Sequence, residues 1–245
     1  MSPLRQFGEY CNLLYKGVRS ATEVGMYRSN LTNELVKIGY ESMPIIILTG
    51  IFSGAVMTIQ TSYQLQSALI PKSTIGSIVS KSMIIELAAV VSSLVLAGKV
   101  GARISTELGT MRVSEQIDAL ESMGFNSVSF LVIPRIIGGI IMFPVLYLAA
   151  AAFGIGGGVL AGVVSGALPA SEFMEGARTF FHPADVLFGL IKATVFGYIV
   201  TSIACYKGYY ATGGAEGVGT STTRATVLGC IYVLLADLIL ATILL

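Results

Sequence analysis

The chain has 245 residues, of which 54% are hydrophobic and only 12% are charged, and its net charge at pH 7 is +1. Soluble domains carry about 25% charged residues, so this composition indicates a protein that crosses a membrane several times. The small net charge, with Lys and Arg scattered along the chain, argues against a nucleic-acid partner. One histidine and three widely spaced cysteines form no metal-ligand or redox pattern, so we expect no metal and no cofactor on this chain.

The first 40 residues carry charges too frequently to span a membrane, and they contain no apolar stretch typical of a signal peptide. Residues 1–40 are instead predicted to form an amphipathic helix that lies in the membrane interface. A soluble helix packed against a partner is the alternative. The apolar residues that recur at helical spacing are Leu4, Phe7, Cys11, Leu14 and Val18.

Five segments after residue 40 offer the roughly 20 apolar residues that a membrane-spanning helix needs. The uncharged stretch from Ile136 to Ser171 is too long for one ordinary span. We expect one long helix there, followed by a loop or surface segment, and a hairpin is the alternative. The sequence therefore predicts an all-α membrane protein with five transmembrane helices within residues 41–245. The predicted spans are Met43–Tyr63, Ser82–Gly98, Ile136–Val163, Val186–Tyr206 and Ala225–Leu245.

The positive charges orient these spans, because Lys and Arg accumulate in cytoplasmic loops. With a cytoplasmic N-terminus, eleven Lys and Arg residues fall on the cytoplasmic side, and only Lys72, Lys81 and Arg178 fall on the other. We therefore expect the N-terminus in the cytoplasm and the C-terminus on the opposite face. A hairpin at 136–171 would invert the later spans.

A charged segment, Glu107–Leu120, lies between the second and third predicted spans, on the expected cytoplasmic side. Its apolar residues recur at i, i+4 and i+7, which predicts a short amphipathic helix over about 107–123. Ser114 is expected to cap the beginning of this helix and Gly124 to end it. Such a helix is suited to docking on another protein. Its candidate contact residues are Glu107, Arg112, Val113, Glu115, Ile117, Asp118 and Leu120.

Three charges, Glu86, Lys192 and Asp237, fall inside predicted spans. A lone charge at the bilayer centre costs about 2.5–3.5 kcal/mol, so these side chains are expected to face the bundle interior and to pair. Lys192 is the cation among them and should contact Glu86, Asp237 or both. The cluster either holds three helices together throughout or loosens during a transport cycle.

One face of the first predicted span is mostly apolar with a polar edge. This combination suits a ligand that has both apolar chains and a headgroup. Packing against another span is the alternative. The candidate lipid-contacting residues are Met57, Gln60, Thr61, Gln64, Leu65 and Ala68.

The chain contains no GxxxxGK(S/T) phosphate-binding loop, and the glycine-rich run Gly213–Gly219 lacks the lysine that such a loop requires. We therefore expect no catalytic residues and no ATP hydrolysis by this chain alone. The glycine-rich run is expected to be a flexible connector or a second contact surface. If ATP drives transport, ATP and Mg must be bound by a partner ATPase.

Three stretches carry a specific pattern: Ala97–Gly124 (AGKVGARISTELGTMRVSEQIDALESMG), Pro134-Arg135 and Gly213–Ala225 (GGAEGVGTSTTRA). With them, the chain resembles over nearly its whole length the MlaE/YrbE family, the permease subunits of MCE-associated ABC transporters. One departure is visible. Family members often read Arg-Glu-Leu-Gly-Pro in the second span, where this chain has Ile85-Glu86-Leu87-Ala88-Ala89.

The resemblance implies a homodimeric permease in the bacterial inner membrane, bound to two cytoplasmic ABC ATPase subunits and to an MCE-domain protein on the periplasmic face. Residues 41–245 would form the permease domain, and the helix at about 107–123 would be the coupling helix that receives the ATPase stroke. The cargo would be phospholipid or a related lipid, moved between the inner and outer membranes. The alternatives are an ion-coupled secondary carrier, with the intramembrane charges as a proton relay, and a non-transporting membrane scaffold.

Overall fold

The computed structural model describes residues 3–20, 28–65 and 71–244. Nearly all of these residues are helical, and no β-strand occurs within these ranges. The helices are α1 (Pro3–Ser20), α2 (Arg28–Ile38), α3 (Met43–Gln64), α4 (Ser73–Ser82), α5 (Ala88–Leu96), α6 (Ala102–Val113), α7 (Gln116–Ser122), α8 (Ile133–Val164), α9 (Ala170–Thr179), α10 (Pro183–Tyr209) and α11 (Gly214–Leu244).

Five stretches of the described chain are helical, long and apolar enough to cross a membrane, which confirms the predicted five-span all-α class. The second stretch is much longer than its predicted span, because π-helical turns at Met83–Leu87 and Ala97–Gly101 join α4, α5 and α6 into continuous helix. Its 41 residues rise about 60 Å, roughly twice the hydrocarbon thickness, so part of it extends beyond the membrane core. The stretches are Asn30–Gln64, Ser73–Val113, Val128–Val164, Pro183–Tyr209 and Gly214–Ile243.

The long uncharged segment after residue 135 is one helix, α8, and not a hairpin. Pro144 lies inside this helix without ending it. The chain leaves α8 through a turn in which Gly166 has a φ of 68°, a conformation that glycine adopts at little cost. The short helix α9 follows and packs against α4. The expectation of one long span followed by a surface segment is therefore correct.

Helices α3 and α8 approach each other closely along a row of small residues. A Cβ atom added to Gly54 would lie 1.8 Å from the backbone oxygen of Gly154, and one added to Gly50 would lie 2.7 Å from that of Ala150. Small residues four positions apart allow two membrane helices to bring their backbones together. The absence of side chains at these positions thus sets the distance between the first and third spans.

Helix α10 lies at the centre of the bundle and contacts α8, α11 and α6. Its Gly197 packs on the backbone of Gly139 in α8, where an added Cβ would lie 2.5 Å from the Gly139 oxygen. Helix α11 is covered on one side only, and its leucines at 234, 235 and 238 are each at least 50% exposed. A central helix and a peripheral apolar helix are the arrangement expected for a bundle in lipid.

Within the described residues, the N-terminal region contains the helices α1 and α2; residues 21–27, which lie between them, are outside the described residues, so the single helix over 1–40 stays a prediction. Helix α2 packs on α8 and begins the first spanning stretch. On α1, Leu13 is buried, Leu14 of the predicted apolar stripe packs partly buried against the core, and Cys11 of that stripe is exposed. The Tyr10 hydroxyl lies 2.9 Å from the Ser202 hydroxyl of α10, so this side of α1 contacts the bundle. The interfacial position of α1 stays a prediction.

Candidate functional site

The segment predicted as one helix over about 107–123 is a helical corner. Residues 107–113 form the end of α6, and α7 begins only at Gln116. The Ser114 hydroxyl donates to the Thr110 carbonyl oxygen at 2.7 Å, so this serine completes α6 and does not cap the next helix. Glu115 has a φ of 60°, a left-handed conformation that is uncommon for residues other than glycine and that redirects the chain into α7.

Only some of the residues predicted to contact a partner attach α7 to the rest of the chain. Ile117 is completely buried and Leu120 is half-buried against the core, whereas Val113 is 38% exposed. Arg112 Nη1 donates to Asp118 Oδ1 at 2.7 Å, which ties α7 to the end of α6. Two of the three predicted apolar residues therefore anchor the helix, and its acidic residues remain on the outside.

The end of α7 presents a mixed acidic and apolar surface. Gly124 has a φ of 82°, its N–H donates to the Glu121 carbonyl, and the Phe125 N–H donates to the Leu120 carbonyl. These two bonds form a Schellman motif, so Gly124 ends the helix as predicted. Met123 is 63% and Phe125 48% exposed. We call the exposed residues Glu115, Gln116, Asp118, Met123 and Phe125 the α7 surface.

A compact hydrogen-bonded group connects α7 to α10. Glu121 Oε1 lies 2.5 Å from the Ser127 hydroxyl and 3.0 Å from the Tyr209 hydroxyl, and these two hydroxyls lie 2.7 Å apart. Ser127 and Tyr209 are buried. The hydrogen bond from Ser127, with that from Tyr209, stabilises the carboxylate and holds the pKa of Glu121 below its usual value. The sequence analysis missed this group, because its members come from three separate segments.

A network of charges at the same end of the bundle joins α2, α6 and α8. Arg135 Nη2 lies 3.0 Å from Glu107 Oε2, and Arg135 Nε lies 3.5 Å from Glu34 Oε1. Arg103 Nη2 contacts the other oxygen of Glu34 at 3.1 Å, and Lys37 Nζ lies 3.7 Å from Glu107. Glu34 and Arg135 are more than nine-tenths buried. Glu107, predicted as a docking residue, therefore pairs inside the bundle, with partners that the sequence analysis did not identify.

The three intramembrane charges come together, as the cost of a lone charge in lipid leads one to expect. Lys192 Nζ lies 2.6 Å from Glu86 Oε2 and 2.5 Å from Asp237 Oδ1, and the lysine is fully buried. Glu86 belongs to the π-helical turn Met83–Leu87, and Asp237 belongs to α11. This cluster joins the second, fourth and fifth spanning stretches. We call it the Lys192 cluster.

The predicted lipid face of α3 is divided between buried and exposed positions. Thr61 is 5% exposed, Met57 and Leu65 are half-buried, and the glutamines at 60 and 64 are exposed. Ala68 lies outside the described residues. A cleft of about 180 Å³ lies elsewhere, between α2 and the start of α8. Within one chain, the predicted face thus lies on the surface of α3, beside the exposed apolar residues Leu48, Phe52, Val56, Ile59 and Tyr63.

Comparison with known protein families identifies the class. The model of the family described as permease MlaE matches residues 31–243. The chain belongs to the MlaE permease family. The matched residues include almost all of the five spanning stretches of this permease, from the beginning of the first to the end of the fifth.

Relatives in three lineages support the assignment. A probable ABC transporter permease protein of Rickettsia bellii is 38% identical over 233 residues, which are 95% of this chain and 90% of that protein. The intermembrane phospholipid transport system permease protein MlaE of Haemophilus influenzae is 31% identical over 242 residues, or 98% and 92% of the two chains. The chloroplastic protein TRIGALACTOSYLDIACYLGLYCEROL 1 of Arabidopsis thaliana is 33% identical over 213 residues, or 87% of this chain and 61% of that protein.

Membership of the MlaE permease family confirms the resemblance seen in the sequence. The chain is a multi-pass membrane permease subunit. An ABC transporter permease implies an ATPase partner and, in general, a dimeric permease. The roles predicted for individual residues of the α7 surface, the Lys192 cluster and the α3 face stay predictions.

Proposed function

We propose that this chain is the permease subunit of an ABC transporter that moves phospholipid or a related lipid between the inner and outer membranes of a bacterium. The observation that carries the proposal is α7, a short helix outside the spanning stretches that exposes acidic and apolar residues while Ile117 fixes it to the bundle. A permease driven by a separate ATPase needs such a contact helix. The names of the Haemophilus influenzae and Arabidopsis thaliana relatives support a lipid cargo.

The proposed assembly is a homodimer with two ABC ATPase subunits, which bind ATP and Mg, and no cofactor on this chain. The charge distribution of the sequence supports a cytoplasmic N-terminus, a cytoplasmic α7 and a periplasmic C-terminus in the inner membrane. The α9 end of the bundle would then face the periplasm, where we propose that an MCE-domain protein binds. In this orientation, the charge network around Arg135 lies near the cytoplasmic boundary.

The α7 surface is the proposed ATPase contact. Its exposed apolar residues, Met123 and Phe125, would anchor the helix in a groove, and Glu115 and Asp118 would meet basic groups at the rim. Asp118 already accepts a hydrogen bond from Arg112, so docking would either share this carboxylate or exchange its partner. The acids therefore tune the contact, and the apolar pair supplies most of the affinity.

The docking role is tested by reversing the two acids to Lys in the full complex. We expect Glu115→Lys/Asp118→Lys to weaken co-purification of the ATPase, or to leave hydrolysis uncoupled from transport, because like charges then face each other. Glu175→Lys is the control for ATPase co-purification only: it reverses an exposed acid on α9, at the other end of the bundle, and should leave binding of the ATPase unchanged. Normal assembly and normal transport in the double variant would count against docking at α7.

The exposed face of α3 is the proposed lipid path. Its apolar row and its two exposed glutamines would line a cavity that forms between the two copies of the permease. Photocrosslinkers at Met57 and Leu65 are expected to capture labelled phospholipid in the assembled transporter. A crosslinker at exposed Leu160 of α8 is the control for contact with bulk lipid. Equal capture at Leu160 and at the α3 positions, or no capture at α3, would refute this path.

The proposed activity as a whole is tested by reconstitution. The complex of this chain with its ATPase, in vesicles that contain fluorescent phospholipid, should move the label to acceptor vesicles only when ATP is hydrolysed. Addition of an MCE-domain protein should increase the amount of label that reaches the acceptor vesicles. ATP hydrolysis that responds to no phospholipid, together with no movement of label, would contradict the lipid cargo.

A further inference from the structure

We propose that the group Glu121–Ser127–Tyr209 is the joint that passes movement of α7 to α10. The proposal rests on the proposed ATPase docking at α7 and names the residues that transmit the effect of docking. It assigns positioning roles: Ser127 and Tyr209 are buried, and Glu121, although exposed on α7, accepts hydrogen bonds from their two hydroxyls.

The attachments of α7 lead to two different helices. Arg112 links Asp118 to the end of α6, the helix from which the corner at Glu115 departs. Glu121, in the last turn of α7, reaches α10 through the Tyr209 hydroxyl and reaches the segment before α8 through Ser127. The contact with α6 is local, since α6 and α7 are neighbours in sequence. Through Glu121, by contrast, α7 is hydrogen-bonded to the central helix of the bundle.

The geometry makes these contacts strong and directional. The Ser127 hydroxyl lies 2.5 Å and the Tyr209 hydroxyl 3.0 Å from Glu121 Oε1, and the two hydroxyls lie 2.7 Å apart. Both hydroxyls donate to the same carboxylate oxygen. Hydrogen bonds to an ionised acceptor are roughly twice as strong as neutral ones. Ser127 is 2% and Tyr209 8% exposed, so water competes little for the two donors. Displacing Glu121 would therefore pull on both hydroxyls.

Tyr209 is the last residue of α10, and Lys192 lies on the same helix about 25 Å away. A continuous helix moves as a rigid element, so a shift at one end displaces the other. Helix α1 also contacts this end of α10, where the Tyr206 hydroxyl donates to Glu9 at 3.4 Å. Movement of α7 thus enters α10 at the end that is also tied to α1, and it reaches the Lys192 cluster along the helix.

The test compares Tyr209→Phe with Tyr210→Phe in the complete complex with its ATPase. Both variants remove one tyrosine hydroxyl and keep the ring, but Tyr210 is exposed and lies beside the joint rather than in it. The first readout is hydrogen exchange of α7 and of the α10 end, compared between ATP and ADP. The second is the amount of labelled phospholipid moved per ATP hydrolysed.

We expect both helices to respond to nucleotide in the unmodified complex and in Tyr210→Phe. In Tyr209→Phe the response should stay in α7 and be lost from α10, and lipid moved per ATP should fall by about fivefold to tenfold. Ser127→Ala should reproduce the effect if Tyr209→Phe fails to fold. A nucleotide response of α10 that persists in Tyr209→Phe overturns the joint, even where the transport of lipid is reduced. If the unmodified complex moves no lipid but the response of α10 depends on Tyr209, the joint stands and the lipid cargo is refuted.

Discussion

Replacing Lys192 by methionine removes the cation that lies between Glu86 and Asp237 and leaves two acids facing each other. Breaking a buried ion pair costs about 3–5 kcal/mol. The side chain of Glu86 is 40% exposed and can be partly solvated, whereas that of Asp237 is 16% exposed. We therefore expect a loss near the lower end of this range, about 3 kcal/mol, carried mainly by Asp237. For a chain of this length, each kcal/mol shifts the melting temperature by about 2–4 °C, so the loss corresponds to about 10 °C.

The assay is thermal unfolding of the purified protein in detergent, followed by lipid transport in the reconstituted complex. Lys81→Met is the control, because it makes the same change at an exposed lysine of α4. Adding Asp237→Asn to Lys192→Met should recover more stability than adding Glu86→Gln. If stability and transport return together, the cluster is a static clasp; if only stability returns, it takes part in the cycle. A melting temperature within about 2 °C of the unmodified protein for Lys192→Met would refute the pairing argument.

Two further outcomes follow from the packing and from the joint. Gly54→Ala should lower the melting temperature by several degrees, because its Cβ would lie 1.8 Å from the Gly154 oxygen and overpacking costs about 1–3 kcal/mol. Gly156→Ala should leave the melting temperature unchanged, because no atom lies within 4 Å of the added Cβ. Equal effects of the two substitutions would contradict the close approach of α3 and α8. The lowered pKa of Glu121 means that its contribution to stability is complete above the usual glutamate pKa and disappears as the pH falls through the lowered value. Protease resistance of α7 should therefore persist down to about pH 4, and in Glu121→Gln this resistance should no longer depend on acid pH. Loss of resistance near pH 6 would contradict the role assigned to Glu121.

The number and type of spanning helices could be predicted because apolar length is a property of a local window. The cost of a buried charge is also independent of the fold, which is why pairing of Lys192 with acids from other spans could be expected. The same reasoning could not tell whether Lys192 would contact one of the two acids or both. That outcome depends on how α10 is rotated between the π-helical turn Met83–Leu87 and α11, and packing between helices determines the rotation.

The corner at Glu115 could not be predicted, because the helical spacing of Val113 and Ile117 continues across the break in the sequence. A left-handed glutamate has no sequence signal as strong as that of glycine, and the pattern therefore favoured one helix. Gly124, in contrast, was correctly expected to end α7, since a glycine after the last helical turn is a common stop. Local chemistry identified the end of the helix, and tertiary packing determined its beginning.

The residues that the sequence analysis missed share one property: their partners are distant in sequence. Arg135 and Glu34 are both buried, and each alone would be an expensive charge, yet nothing near either residue indicates the other. Ser127 and Tyr209 are ordinary residues of a loop and a helix end until Glu121 lies between them. Lys192 could be identified because its charge lies inside a predicted span, whereas Glu34 and Arg135 lie outside the predicted spans. Ser127 and Tyr209 carry no charge that would single them out.

Helix α10 connects the short helix α7 with the Lys192 cluster. Its Tyr209 contacts α7, its Tyr206 contacts α1, and its Lys192 holds acids from two other spanning stretches. Arg112 ties α7 to the end of α6, its neighbour in sequence, whereas Glu121 ties α7 to α10. With the proposed docking at α7, the strength of the joint relative to the Lys192 cluster would decide whether ATP hydrolysis by the partner rearranges the bundle or moves only α7, and the Tyr209 and Lys192 variants measure these two strengths separately.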